Sequence, residues 1–192
     1  MKKSIAPVFA AAQFLFCSFS IAAPPAQEII HAHQLERTGP VGIWLNSTYR
    51  SSIQVIPGHL YDGTSTRAAA SQITFLQERG QSSGWNTRKF EETWTYLLGD
   101  SLLIHVISAQ GEHTVIKVGD PLTDPESLPI FTLKSEGQTI ATELSVDATA
   151  GYFFGTAQTS PGFEIEDISF DKLSNLLKTF PQHEALIKRL NL

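Results

Sequence analysis

The chain has 192 residues, 42% of them apolar, with 14 Lys and Arg against 19 Asp and Glu for a formal net charge of −5. That length suits one domain with a single substantial core plus an N-terminal segment. The acidic balance and the absence of a basic run argue against a surface that tracks nucleic-acid phosphates.

Met1-Lys2-Lys3, the apolar run from Ala6 to Phe16 and the small-residue exit Ser20-Ile21-Ala22-Ala23 have the layout of a secretory signal peptide over residues 1–22. Cleavage after Ala22 or Ala23 is expected, with the product periplasmic or extracellular. A membrane anchor is the alternative, but the stretch is short and broken by Gln13 and Ser18. No membrane association is therefore expected once the signal is gone. Cys17, the one cysteine, follows Phe16 rather than a small residue, which disfavours a lipid anchor, and its removal leaves a chain without thiols. Loss of Lys2 and Lys3 leaves 12 basic residues against 19 acidic ones, a charge near −7.

Residues 23–33 read as a leader, with a short helical pattern over Glu28 to Leu35 carrying Ile29, Ile30 and Leu35 on its apolar side. Residues 34–192 form the domain proper. From Trp44 the texture is short β-prone runs: Ile43 to Ser51, Ile53 to Ile56, Ala70 to Leu76, Thr93 to Leu98 and Leu102 to Ser108. Four more follow, Thr114 to Val118, Ile130 to Leu133, Gln138 to Leu144 and Tyr152 to Gln158. Turn signals such as Pro57-Gly58, Asp62-Gly63, Gly99-Asp100 and Glu136-Gly137 separate them. Many short strands without intervening helices predict an all-β sandwich or barrel. Helix returns only at the end: Asp171 is expected to cap a helix bearing Leu173, Leu176 and Leu177, and Pro181 separates it from a second amphipathic turn through Ala185 to Leu190.

One spacing carries chemistry. Gly80, five residues, Asn86, one residue, Arg88, three residues, Glu92, six residues, Gly99 has the layout of the first cupin motif, with Asn86 and Arg88 standing at its two His positions. Neither an amide nor a guanidinium is a usual ligand for a divalent transition metal. Together with Thr48-Tyr49-Arg50-Ser51, Glu92-Thr93-Trp94, Ser160 to Asp167 (Ser-Pro-Gly-Phe-Glu-Ile-Glu-Asp) and Phe180-Pro181-Gln182-His183, it makes the chain resemble the small RmlC-like cupin family known as domain of unknown function 985.

The resemblance implies a double-stranded β-helix, the cupin jelly roll, with a short N-terminal helix and C-terminal helices. It further implies a homodimer and a polar pocket inside the barrel. The family's typical His-Pro-Glu-Gly-Gly is here Gly39-Pro40-Val41-Gly42-Ile43, and two Trp-His pairs are Trp85-Asn86 and Trp94-Thr95. The second cupin motif falls on Ser135 to Ile140, so its His position is apolar. These imidazoles and one carboxylate are missing together, and no metal or other cofactor is expected.

Glu92 keeps a ligand position, and by period-2 alternation Trp94 and Tyr96 share its face. That suits an acidic group between aromatic walls; equally, Glu92 is a buried carboxylate paired with Arg50 or Arg88. Tyr49 and Arg50 are adjacent, so only one of them faces the pocket; Arg50 is either an anion clamp or a partner in a salt bridge at a dimer interface or sheet edge. His105 lies mid-strand, and His31, His33, His59, His113 and His183 lie in helical or turn-rich segments; only His31 and His33 are closely spaced, and residues i and i+2 do not face together on a helix. Ser160 lacks a nucleophile elbow. Expected ligand contacts are Arg50, Asn86, Glu92, Trp94 and Tyr96, to a small polar molecule such as a sugar or carboxylate. Two rival readings are an isomerase or epimerase-like enzyme using Glu92, Tyr96 or Tyr49 for proton transfer, and a scaffold for self-association.

Overall fold

A computed structural model describes residues 23–37, 42–58, 65–134 and 137–191. The expected export signal with Cys17, the segment Gly39-Pro40-Val41, His59, the Asp62-Gly63 turn and Ser135-Glu136 lie outside the described residues. In chain order the elements are α1 (Ala26–Ala32), β1 (Glu36–Arg37), β2 (Trp44–Arg50), β3 (Gln54–Val55), β4 (Arg67–Ala68) and β5 (Ser71–Glu78). They continue with β6 (Asn86–Arg88), β7 (Glu91–Gly99), β8 (Leu102–Ile107), β9 (His113–Val118), β10 (Ile130–Leu133) and β11 (Thr139–Leu144). β12 (Tyr152–Ser160), β13 (Ile168–Phe170), α2 (Leu173–Thr179) and α3 (Glu184–Arg189) close the chain.

The strands form two antiparallel sheets, β1-β2-β5-β12-β7-β10 and β13-β6-β11-β8-β9, with β3-β4 as a separate ribbon. This is the all-β jelly roll with helices at its ends that the sequence predicts. Alternation along each strand explains how three apolar clusters arise from one set of strands. On β8, Leu102, Ile104 and Val106 point between the sheets to meet Phe75, Trp94 and Phe153, whereas Ile107 points outward. On β12, Phe153 is inside, while Tyr152 and Phe154 pack outside against Ile29 and Ile30 of α1. The second sheet's outer face is covered by the C-terminal helices, where Leu176, Ile187 and Leu190 bury Trp85 and Ala141. Ile187 is fully buried, worth about 2 kcal/mol of apolar transfer.

Two local expectations change. Asp171 does not cap α2: the N-cap position is Lys172, and the Asp171 carboxylate accepts hydrogen bonds from the hydroxyls of Thr87 (3.1 Å) and Thr139 (2.5 Å). Those hydroxyls, on the outer face of the second sheet, need an acceptor, and the Asp171 amide is itself bonded to the Trp85 carbonyl, so the residue belongs to the sheet rather than to the helix. The strands β1, β4, β6 and β13 are additional, each of two or three residues, too short to display a period. Among the described residues no helix is long and apolar enough to cross a membrane.

Candidate functional site

A cavity of about 480 Å³ opens between the sheets at the end where β6 and β13 pair. That volume lies within the range of small-molecule sites. Its walls are mainly apolar: Leu45, Ile73 and Ala157 from the large sheet, Phe90, Ile168 and Phe170 opposite.

Arg88 and Glu92 face each other in this cavity across the tight connection from β6 to β7, and their side chains form an ion pair that is nine-tenths buried. The Arg88 Nε donates to Asn86 Oδ1 at 2.7 Å, and Asn86 Nδ2 donates to the Gly84 carbonyl at 2.9 Å. The guanidinium carbon lies 5.4 Å from the Trp94 ring centroid and 5.9 Å from that of Phe90, within cation–π range. Burial pushes the Arg88 pKa down from its ordinary value to about 9, so the group is still charged at neutral pH.

These residues occupy the motif positions at which a cupin holds a divalent metal, and they do not fit one. The Asn86 amide is committed on both sides, Ile140 sits opposite Asn86 in the register between β11 and β6, and Arg88 brings a fixed positive charge that would repel a cation bound to Glu92. No group of three or more His, Cys, Asp or Glu among the described residues is arranged to hold a metal.

An irregularity in the pairing of β2 with β5 between Ser47 and Tyr49 decides which neighbour faces the cavity. Leu45, Ser47 and then Arg50 point in, and Tyr49 is left 53% exposed. Arg50 sits at the rim, where it pairs with Glu164 and donates to the Phe163 carbonyl at 3.0 Å. Trp94 and Tyr96 share the face of Glu92 but do not line this cavity. Trp94 is core, stacked on Phe131 with centroids 6.4 Å apart, and the Tyr96 hydroxyl donates to the Gly99 carbonyl at 2.9 Å. Burial, with Asp120 and Asp100 nearby, raises the Tyr96 pKa. The structure thus brings Arg50, Asn86 and Glu92 to one cavity and places Tyr49, Trp94 and Tyr96 elsewhere.

The segment after β12 contributes more than the sequence suggests. Following a cis Ser160–Pro161 bond, Gly162 packs so close to Ala68 that a Cβ would sit 3.0 Å from that residue's own, and Phe163 turns onto Phe90 edge-to-face at 5.6 Å. Asp167, almost fully buried, holds Arg67 through both oxygens at 3.2 and 3.3 Å. Phe163 and Ile165 thereby become cavity wall. The Pro-Gly-Phe-Glu signature was the available signal, though nothing in it reveals which surface the phenylalanine meets.

A separate polar cluster lies on the outer face of the second sheet. Because the Glu143 carboxylate can only accept, His105 donates Nε2–H to it (2.9 Å) and accepts at Nδ1 from His113 Nε2–H (3.1 Å), with the two rings within 3° of parallel. Arg189 of α3 holds the other Glu143 oxygen, and His183 reaches the Gly111 carbonyl at 2.8 Å. This cluster ties the C-terminal helices to the barrel.

The family model described as Cupin superfamily (DUF985) matches residues 27–171. Two solved structures share the fold along most of the chain. A hypothetical protein from Leishmania major is 26% identical, with 88% of this chain and 99% of that one covered at a TM-score of 0.78. A protein from Shewanella oneidensis is 28% identical, with 88% and 98% covered at a TM-score of 0.75. No curated protein matches.

Proposed function

The chain belongs to the cupin superfamily (DUF985) family, and from that premise we propose that it is an exported binding protein that holds a small organic ligand in the barrel cavity without a metal. The observation that carries this reading is the buried Arg88–Glu92 pair facing an apolar chamber of about 480 Å³. Buried ion pairs seldom add stability over well-packed apolar residues, so one kept beside an open cavity is better accounted for by recognition than by folding. An isomerase would need a free base, whereas Glu92 is engaged by Arg88 and the Tyr96 hydroxyl donates to a backbone carbonyl away from the cavity. Removal of residues 1–22 and a homodimer complete the proposal; exposed Ile130 on edge strand β10 and exposed Val115 on edge strand β9 support self-association.

The test is a thermal-shift screen of the protein against sugars, nucleotide sugars, carboxylates, amino acids and divalent metals. A ligand at 100 times its dissociation constant stabilises by about 2.7 kcal/mol, readily seen for a domain of this size. Ser47→Trp is the control, since Ser47 is exposed yet lines the mouth, and a bulky ring there blocks entry without disturbing the core. An organic compound whose stabilisation vanishes in Ser47→Trp supports the proposal. Silence across the screen, or shifts indifferent to Ser47→Trp, refutes it.

A further inference from the structure

We infer that the ligand carries no net charge and presents a cation and an anion side by side, an α-amino carboxylate on an apolar side chain being the class that fits. This rests on the ligand-binding reading above and names the ligand class for that same cavity. Three arginines stand at or behind the wall, and each has a carboxylate partner: Arg88 with Glu92, Arg50 with Glu164 and Arg67 with Asp167. The wall is therefore charge-balanced, and its remaining surface is largely apolar, where an unmatched charge is costly.

A monoanion seated on Arg88 would strand Glu92, and a monocation seated on Glu92 would strand the guanidinium. A zwitterion inserted between them leaves neither alone. Its carboxylate accepts from the planar guanidinium fork while its ammonium donates to Glu92, and the sum of charges stays at zero. The apolar body then meets Phe90, Phe163 and Phe170.

A polyol fits less well, because the buried hydroxyl and amide groups that line the cavity, those of Ser71, Thr159 and Asn86, already have partners. Ser71 and Thr159 share a hydrogen bond at 2.9 Å, and the Ser71 oxygen also accepts the Phe163 amide at 2.9 Å. Asn86 is held at both ends of its amide. A ligand rich in hydroxyls would bury them without partners.

Isothermal titration of the protein at neutral pH with L-phenylalanine, 3-phenylpropionate and 2-phenylethylamine holds the apolar body nearly constant and varies only the head. L-Phenylalanine should bind at least ~10-fold tighter than either singly charged analogue, as expected when one buried charge would otherwise lose its partner. Glu92→Gln should shift preference toward 3-phenylpropionate and Arg88→Met toward 2-phenylethylamine. The wild-type series decides the matter even where those variants fold poorly. Equal or tighter binding of a singly charged analogue overturns the inference and leaves the binding reading standing. So does failure of all three compounds while another class binds in a manner abolished by Ser47→Trp. Failure of every compound overturns both.

Discussion

Replacing Glu92 by Gln removes one charge from a pair whose side chains are only 10% and 12% exposed, and leaves the Arg88 guanidinium without its carboxylate. Breaking a buried pair from one side costs about 3–5 kcal/mol. The Asn86 amide and the flanking Trp94 and Phe90 rings still stabilise the cation, which places the expected loss near the lower end, at about 3 kcal/mol. For a domain of this size that corresponds to a fall in Tm of roughly 6–12 °C. Arg88→Met should cost a similar amount by stranding the carboxylate. The double variant Arg88→Met/Glu92→Gln should recover much of the loss, because both charges have gone. Equilibrium urea denaturation of the four proteins measures all of this in one double-mutant cycle. A Glu92→Gln protein within about 0.5 kcal/mol of wild type, or single losses that simply add in the double variant, would refute the claim that the pair is buried and coupled.

Burial lowers the pKa of both His105 and His113 below 6.5; the Glu143 bond opposes the shift at His105, while His105 and His183 reinforce it at His113. The unfolded chain then binds more protons than the folded one below about pH 6.5, so the urea midpoint should fall as the pH drops from 7 to 5. The decline should flatten in His113→Gln, whereas a midpoint that holds or rises over that interval would contradict the assignment. Asp100 accepts hydrogen bonds from the backbone amides of Thr149, Ala150 and Gly151 at 2.6, 3.0 and 2.6 Å, so Asp100→Ala should cost about 2–3 kcal/mol and speed hydrogen exchange at those three amides. Exchange unchanged there would show that the loop is held by something else. Gly99 has φ +94° and an added Cβ would run into the Tyr152 carbonyl oxygen, so Gly99→Ala should lose about 3 kcal/mol by urea denaturation; a loss under 1 kcal/mol would mean the turn relaxes freely.

The jelly roll was legible because its longer strands carry enough residues to show alternation and are separated by turn residues that can be named. β6 and β13 were not legible: Asn86-Thr87-Arg88 is polar and Ile168-Ser169-Phe170 is a single alternation, and they acquire strand geometry only by pairing, β13 with β6 and β6 with β11. Asp171 looked like a cap because capping is a local signal, while its real partners are distant hydroxyls on two strands. Within the site, spacing found Glu92 but offered Arg50 and Arg88 equally as partners, a choice that only the tertiary fold makes. Alternation correctly put Trp94 and Tyr96 on the face of Glu92, but a shared face is not a shared depth. At about 3.4 Å per residue they lie roughly 7 and 14 Å further along β7, past the end of the cavity and in the packed core. The choice between Tyr49 and Arg50 turned on the irregularity after Ser47, for which Thr48 gives no sequence signal.

The central claim is that a ligand binds against the Arg88–Glu92 pair with no metal between them. It is tested most directly by taking the strongest organic hit of the thermal-shift screen and measuring its stabilisation of wild type and Arg88→Met, each with and without EDTA. The predicted result is a wild-type shift that EDTA leaves intact and that Arg88→Met abolishes. A shift that EDTA abolishes and Arg88→Met retains would contradict the account and return the site to metal chemistry.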